Sequence, residues 1–246
     1  MTLAAVLEAK DIEKTLGLGA SSVQALKGVS LSLKAGKLTL LRGPSGSGKT
    51  TLMSILGGIL APTSGSIRLA GHNLSGRDEE ALATLRRAHV GFIFQSYNLF
   101  PTLSALQNVM LAVAVKEETA SDARTKAKSA LSAVGLAAKL DAYPSHLSGG
   151  EQQRVAIARA IVCGPSVLLA DEPTAALDSE NGRNVMSLLS RLAVESHCAI
   201  LVVTHDERTI PFADQIITME DGKIVDDWSA LDGRDIDRRV GVSAHG

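Results

Sequence analysis

Cysteine is scarce in this 246-residue chain, which has only Cys163 and Cys198. They stand far apart with no metal spacing, which excludes a disulfide framework and a cysteine metal centre; reduced core thiols in a reducing compartment are expected. No run of about 18 apolar residues occurs, so no segment spans a bilayer unaided. A surplus of positive charge is also missing: 25 basic side chains face 26 acidic ones, for a net charge of −1. Binders of phosphate backbones carry a basic excess, so nucleic acid is not expected as a partner. The opening MTLAAVLEAKDIEK has neither the basic region nor the apolar stretch of a signal peptide, and no leader is expected. Repeats and low-complexity linkers are absent too. What remains is ordinary globular composition, 45% hydrophobic and 21% charged. That argues against disorder and suits one large domain or a core with a modest insertion.

Local patterns suggest how the chain is organised. VLEAKDIEK, VQALKG and VSLSL are β-prone runs broken by turns, as in an antiparallel layer. LTLLR (38–42), SVLLAD (166–171) and AILVVTH (199–205) contain continuous apolar runs, as in strands buried on both faces. TTLMSILGGI reads as a helix ending near Gly57-Gly58 and GSIRLAG as a short strand. EEALATLRRA, SALQNVMLAVAV, SDARTKAKSALSAVGL, GGEQQRVAIARAI and ENGRNVMSLLSRLAV are helical, with a strand at VGFIF. QIITMEDGKIV predicts a hairpin about Asp221-Gly222. The polar tail after Trp228 predicts a short surface helix with a frayed end. Together these predict an α/β nucleotide-binding core with a helical insertion at about 95–163.

GPSGSGKT, residues 43–50, fits G-x-x-x-x-G-K-[ST] between an expected strand and an expected helix, the context the motif needs. Gly43, Pro44, Ser45, Gly46, Ser47 and Gly48 form a loop whose glycines let backbone N–H groups turn inward around phosphate oxygens. The helix N-terminus adds positive potential, and Lys49 reaches the β and γ phosphates. Thr50 offers a hydroxyl to Mg²⁺, and Thr51 stands beside it at the nucleotide.

Asp171 and Glu172 lie just beyond a buried strand, where ligands of open α/β sheets bind. Asp171 suits a Mg²⁺ ligand, direct or through water. Glu172 can orient or deprotonate an attacking water. His205 ends the next strand and can hydrogen-bond a γ-phosphate. Gln95, after VGFIF, is placed to ligate Mg²⁺ or bind the lytic water.

LSGGEQQR (147–154) is a second phosphate-binding device, with two adjacent glycines after a serine at the start of an expected helix. The order GPSGSGKT, Gln95, LSGGEQQR, VLLADEP, AALD and His205 resembles the ABC-type ATPase subunits from about residue 6 to 227. The resemblance implies a RecA-like P-loop NTPase core (1–94 and 164–228) behind an N-terminal antiparallel β layer. It also implies a helical subdomain (95–163) and a tail (229–246), all in one ATPase domain. In that family two subunits pack head to tail. Ser148, Gly149, Gly150 and Glu151 would then meet the γ-phosphate of ATP held by the partner, and Asp178 would lie across the interface.

One departure is Leu16 in DIEKTL, at the position of the family's adenine-stacking aromatic, which implies weaker ATP affinity or looser base selectivity. Four of the seven aromatics, Phe92, Phe94, Tyr97 and Phe100, fall in nine residues. The resemblance places this segment at a groove for a membrane subunit, with Tyr97, Leu99 and Phe100 facing it and Phe92 and Phe94 in the core. GFIFQSYNLFPTLSALQNV and DEPTAALDSENG look like ATPases of lipoprotein-release, macrolide-export and glycolipid-export systems. These pair with FtsX-like permeases, often with a periplasmic membrane-fusion protein. The expectation is a peripheral ATPase homodimer on the cytoplasmic face of the inner membrane, exporting a lipid, lipoprotein or drug-like substrate. A solute importer and a mechanical or signalling complex are the alternatives.

Overall fold

The computed structural model describes residues 5–17, 21–114 and 119–229. The helix expected in the C-terminal tail lies outside the described residues. In chain order the elements begin with β1 (Ala5–Leu16), β2 (Val23–Lys34), β3 (Leu38–Arg42), α1 (Lys49–Leu56), β4 (Ser64–Leu69) and β5 (His72–Asn73). Next come α2 (Glu79–His89), β6 (Val90–Ile93), α3 (Ala105–Ala114), α4 (Ala120–Ala133) and α5 (Gly149–Ile161). The last are β7 (Val167–Asp171), α6 (Ser179–Ser196), β8 (Ala199–Val203), β9 (Gln215–Glu220) and β10 (Lys223–Ser229).

Two sheets organise them. An antiparallel sheet has the order β2-β1-β4-β5, and a six-stranded sheet has the order β10-β9-β3-β8-β7-β6. Strands β9, β3, β8, β7 and β6 run parallel, and β10 closes one edge as the return arm of a hairpin. Asp221 and Gly222 form its turn at φ 46° and 79°, the double left-handed conformation of a tight hairpin. The runs VQALKG and VSLSL belong to one strand, although the sequence reads them as two. Register steps from Ile12↔Val29 to Glu13↔Lys27, so Gly28, at φ 77°, is the extra residue of a bulge.

The alternation of side chains along the parallel strands builds two cores. Leu41, Val167, Leu169, Leu201, Val203 and Met219 join α1 (Leu52, Ile55, Leu56) and the inner face of the antiparallel sheet (Leu7, Ile12, Leu26, Leu33). Leu38, Leu40, Leu168, Ala170, Ile200 and Val202 face the other way. They meet α3, α4, α5 and α6 through Val109, Leu131, Val155, Ile157, Val185 and Leu189. Each fully buried Leu or Ile contributes about 1.5–3 kcal/mol, so the period-2 pattern fixes both layers at once. Cys198 lies in the second core, where burial pushes its thiol up to about 12. Among the described residues no helix is long and apolar enough to cross a membrane.

At Gly91, strand β6 lies close against α5. A Cβ there would sit 2.5 Å from the Ala160 carbonyl oxygen and 2.8 Å from Leu168 Cδ1. Gly91→Ala should therefore push helix and strand apart and cost about 1–3 kcal/mol in urea unfolding, despite being the smallest possible change.

Candidate functional site

The parallel register sets the site. Leu41 pairs with Val203, Val203 with Asp171 and Ala170 with Ile93, so four strands end along one line. Beyond those ends the chain continues as Gly43, His205, Glu172 and Gln95. All four residues line one cleft of about 890 Å³. Ser45, Gly46, Gly48, Lys49, Thr50, Thr51, Asp171 and Leu16 line it as well.

The loop after β3 is shaped by contact and by backbone conformation. A Cβ on Gly43 would fall 2.0 Å from the Met219 carbonyl oxygen, so strand β9 admits only glycine there. Gly48, at φ 97°, precedes α1 and gives no side-chain cap. The first N–H groups of the helix are thus left to an anion. Lys49 Nζ arches over the loop, 2.8 Å from Gly43 O, 2.7 Å from Pro44 O and 3.3 Å from Ser47 Oγ. Ser47 is buried, and its carbonyl accepts the Gly222 N–H at 3.1 Å, which braces the loop against the β9–β10 hairpin.

Three charged groups share this partly dry end of the sheet. Desolvation lowers the Lys49 pKa, with Glu172 and Asp171 opposing. Desolvation raises that of Asp171, reinforced by the Glu172 charge and opposed by Lys49. A cation beside Asp171 would offset the cost that burial imposes on its charge. Glu172 has a left-handed backbone, φ 47°, and its N–H donates to Val203 O at 2.9 Å, extending the ladder past the strand end. Its Oε1 lies 2.7 Å from His205 Nδ1. A non-glycine residue in that region costs about 1–2 kcal/mol and persists only where neighbours hold it.

The second device lies elsewhere on the chain. Ser148 caps α5: its Oγ accepts the Glu151 N–H at 3.2 Å, while Glu151 Oε2 accepts the Ser148 N–H at 2.8 Å. Glu151 also faces Lys139 at 3.7 Å. Gly149 and Gly150 precede the first intrahelical bond donor, Gln152, and so present N–H groups at a helix start. Asp178 caps α6 through the N–H groups of Glu180 and Asn181, at 3.0 and 2.9 Å. None of Ser148, Gly149, Gly150, Glu151 or Asp178 lines the cleft. Within one chain the two devices do not meet.

Val23, Lys27 and Asp221 also line the cleft and escape a reading of the sequence. Val23 is 64% exposed and lies opposite Leu16, itself 40% exposed, in the β1–β2 register. The signal that could have found it is an exposed valine opposite the presumed base-facing residue, but the register is a property of the sheet. Phe92 and Phe94 stack with centroids 5.9 Å apart and are half-buried, whereas Phe100 is largely exposed.

Comparison with known proteins gives a consistent picture. The family model for ABC transporter matches residues 26–175. The pyoverdine export ATP-binding/permease protein PvdT of Pseudomonas aeruginosa is 46% identical over 241 residues, covering 98% of this chain and 36% of that protein. The macrolide export ATP-binding/permease protein MacB of Escherichia coli is 44% identical over 227 residues, covering 92% and 35%. The chain spans about a third of the length of these curated relatives. Among solved structures, the dimeric post-hydrolysis state of the ATP-binding cassette MJ0796, bound to ADP and Pi, superposes with a TM-score of 0.81. It is 38% identical, and the match covers 91% of this chain and 98% of that one.

The capping box at Ser148 generates a prediction independent of any nucleotide. Ser148→Ala should lower unfolding stability by about 0.5–2 kcal/mol, and Ser148→Asp should restore most of it. Bonding from the Ser148 N–H holds the Glu151 carboxyl below its ordinary range. Its contribution is thus complete above the usual glutamate pKa and fades as pH falls through the lowered one. Glu151→Gln should flatten that acid limb when unfolding is followed from pH 6 to pH 3.

Proposed function

Since this chain belongs to the ABC transporter family, we propose that it is the ATP-hydrolysing component of a membrane transport complex, working as a head-to-tail homodimer. The observation that carries this reading is the separation just described: one chain holds two anion-binding helix starts that do not face each other. Antiparallel pairing of two copies joins the cleft of each to the Ser148–Glu151 segment of the other. The dimeric cassette structure, 38% identical, supports a dimer. Residues 1–94 and 164–228 serve as the nucleotide-binding core, residues 95–163 as the helical arm carrying Ser148, and 229–246 as a tail. The relatives named for pyoverdine and macrolide export support export through a permease; an FtsX-like class for that permease and a lipid, lipoprotein or drug-like cargo are part of this proposal. A periplasmic membrane-fusion protein completes such a system, and the ATPase sits at the cytoplasmic face of the inner membrane.

The residues divide the work as follows. Gly43 to Thr51 wrap the phosphates with backbone N–H groups, and Lys49 leaves its loop carbonyls for the β and γ phosphate oxygens. Glu172, held by His205 at 2.7 Å, takes a proton from the attacking water, and His205 steadies the γ-phosphate. Gln95, just past the end of β6, binds the attacking water. Among the described residues no group of three or more His, Cys, Asp or Glu could hold a metal by itself. One carboxylate, one hydroxyl and one amide, from Asp171, Thr50 and Gln95, fit a Mg²⁺ that arrives on a triphosphate and keeps most of its waters. Once bound, that ion would neutralise charge on the phosphate oxygens. Ser148, Gly149 and Gly150 of the second copy then cap the γ-phosphate with a hydroxyl and N–H groups, and Asp178 links the two sites. Loss of that phosphate releases them.

Glu172→Gln should lower ATP turnover by about 10²–10⁴-fold and accumulate an ATP-bound dimer, detected by light scattering. A normal rate would reject Glu172 as the base. A strictly monomeric protein at saturating ATP, even beside its permease, would reject the half-site reading. Lys49→Ala should bind ATP too weakly to dimerise.

At the base-binding end, Leu16 and Val23 offer apolar contact without a π face. Leu16→Tyr should tighten ATP binding by about 1–3 kcal/mol in a titration, the worth of one base–aromatic stack. An unchanged dissociation constant would show that the base does not lie over Leu16.

A further inference from the structure

The segment after Gln95 is held in an unusual way. Tyr97 and Asn98 are consecutive non-glycine residues with left-handed backbones, φ 57° and 49°. Such a pair survives only where its surroundings impose it. Arg159, in the last turn of α5, supplies the constraint: its Nη2 donates to Tyr97 O at 2.8 Å and its Nη1 to Asn98 O. The planar guanidinium fork suits two successive carbonyls as no other side chain does. Partial burial pulls the Arg159 pKa below its usual value, so the contact is made at some cost in hydration of the charge.

Tyr97 and Phe100 are fixed by further contacts as well. A Cβ on Gly149 would lie 3.1 Å from the Tyr97 hydroxyl oxygen, so Tyr97 reaches from Arg159 to the first residue of α5. Asn108 of α3, fully buried, accepts the Phe100 N–H at 2.8 Å. It also donates to the carbonyls of Phe100, Leu103 and Ser104, at 3.1, 2.9 and 3.0 Å. Gln95 lies in the cleft, only two residues before Tyr97.

We propose that Arg159 and Tyr97 are positioning residues that rivet the Gln95–Phe100 segment to α5, so that movement of Gln95 at the γ-phosphate is delivered to Ser148, Gly149 and Gly150 as a rigid displacement. This rests on the half-site reading above. Neither residue touches nucleotide. They determine whether the cleft and the second device of the same chain move together, and hence how readily bound ATP becomes a closed dimer.

The test uses the full chain in the Glu172→Gln background, with Arg159→Met, which keeps the apolar stem, and Arg159→Lys, which keeps the charge but loses the fork. ATP affinity is measured at protein concentrations too low to dimerise, dimer formation by light scattering across an ATP titration, and folding by thermal melting. Expected is monomer ATP affinity within about twofold of the parent, while the ATP concentration for half-dimerisation rises about tenfold or more for Arg159→Met and less for Arg159→Lys. If Arg159→Met does not fold, Tyr97→Leu carries the test with the same expected split, since Tyr97 is only half-buried. A folded variant that dimerises at the parental ATP concentration overturns the proposal and leaves the half-site reading intact. A variant whose affinity and dimerisation weaken in equal proportion also overturns it, because that is what a general loosening of the fold produces. Failure of the Glu172→Gln parent itself to dimerise removes the half-site reading, and this proposal with it.

Discussion

The backbone register of the parallel strands is the constraint from which the rest of the molecule follows. Parallel ladders bring every strand to the same edge pointing the same way, and here four of them end within one line of hydrogen-bonded pairs. The residues just past those ends need no long excursions to meet: a glycine loop, an acidic pair, a histidine and a glutamine converge because the ladder has already aligned their anchors. A slip of one residue in any of these strands would turn its core side chains to the wrong layer. Positions in the cleft are thus held in part by the burial of Leu40, Leu168 and Leu201, none of which lines it.

The two helix starts show how the same backbone chemistry is put to different ends. At α1 the residue before the helix is a glycine that contributes no oxygen, so the N–H groups stay open to a ligand. At α5 a serine and a glutamate satisfy each other across the first turn, which secures the helix and spends two of the donors. Only the Gly149 and Gly150 N–H groups are left over. On the half-site reading proposed above, the first device serves tight capture and the second a lighter contact that lets go in each cycle.

Much of this was legible in the sequence because it is local. Continuous apolar runs gave the central strands, G-x-x-x-x-G-K-T gave the loop, and Asp221-Gly222 gave the hairpin. The spacing S-x-x-E at 148–151 is itself a capping signal and announces the helix start as clearly as it announces a phosphate contact. What stayed hidden is what only the tertiary arrangement creates. Gly28 reads as a break but is absorbed as a bulge, because the partner strand supplies the pairing on both sides. Val23 and Lys27 enter the cleft through the β1–β2 register, and Asp221 through a hairpin that leans on Ser47. Arg159 looks like one more helix-surface charge until the chain brings Tyr97 and Asn98, about sixty residues earlier, under its guanidinium.

Glu172 adds a last point. Its side chain is the proposed base, yet its backbone occupies a conformation that glycine or asparagine would adopt at lower cost. Selection for sturdiness alone would favour such a replacement, and with Glu172 as the base, as proposed above, it would leave a better-behaved protein that does no work. On that reading position 172 records a trade-off in which conformational comfort is forgone for chemistry. Libraries screened only for heat resistance or expression yield should enrich silent, inactive exchanges there.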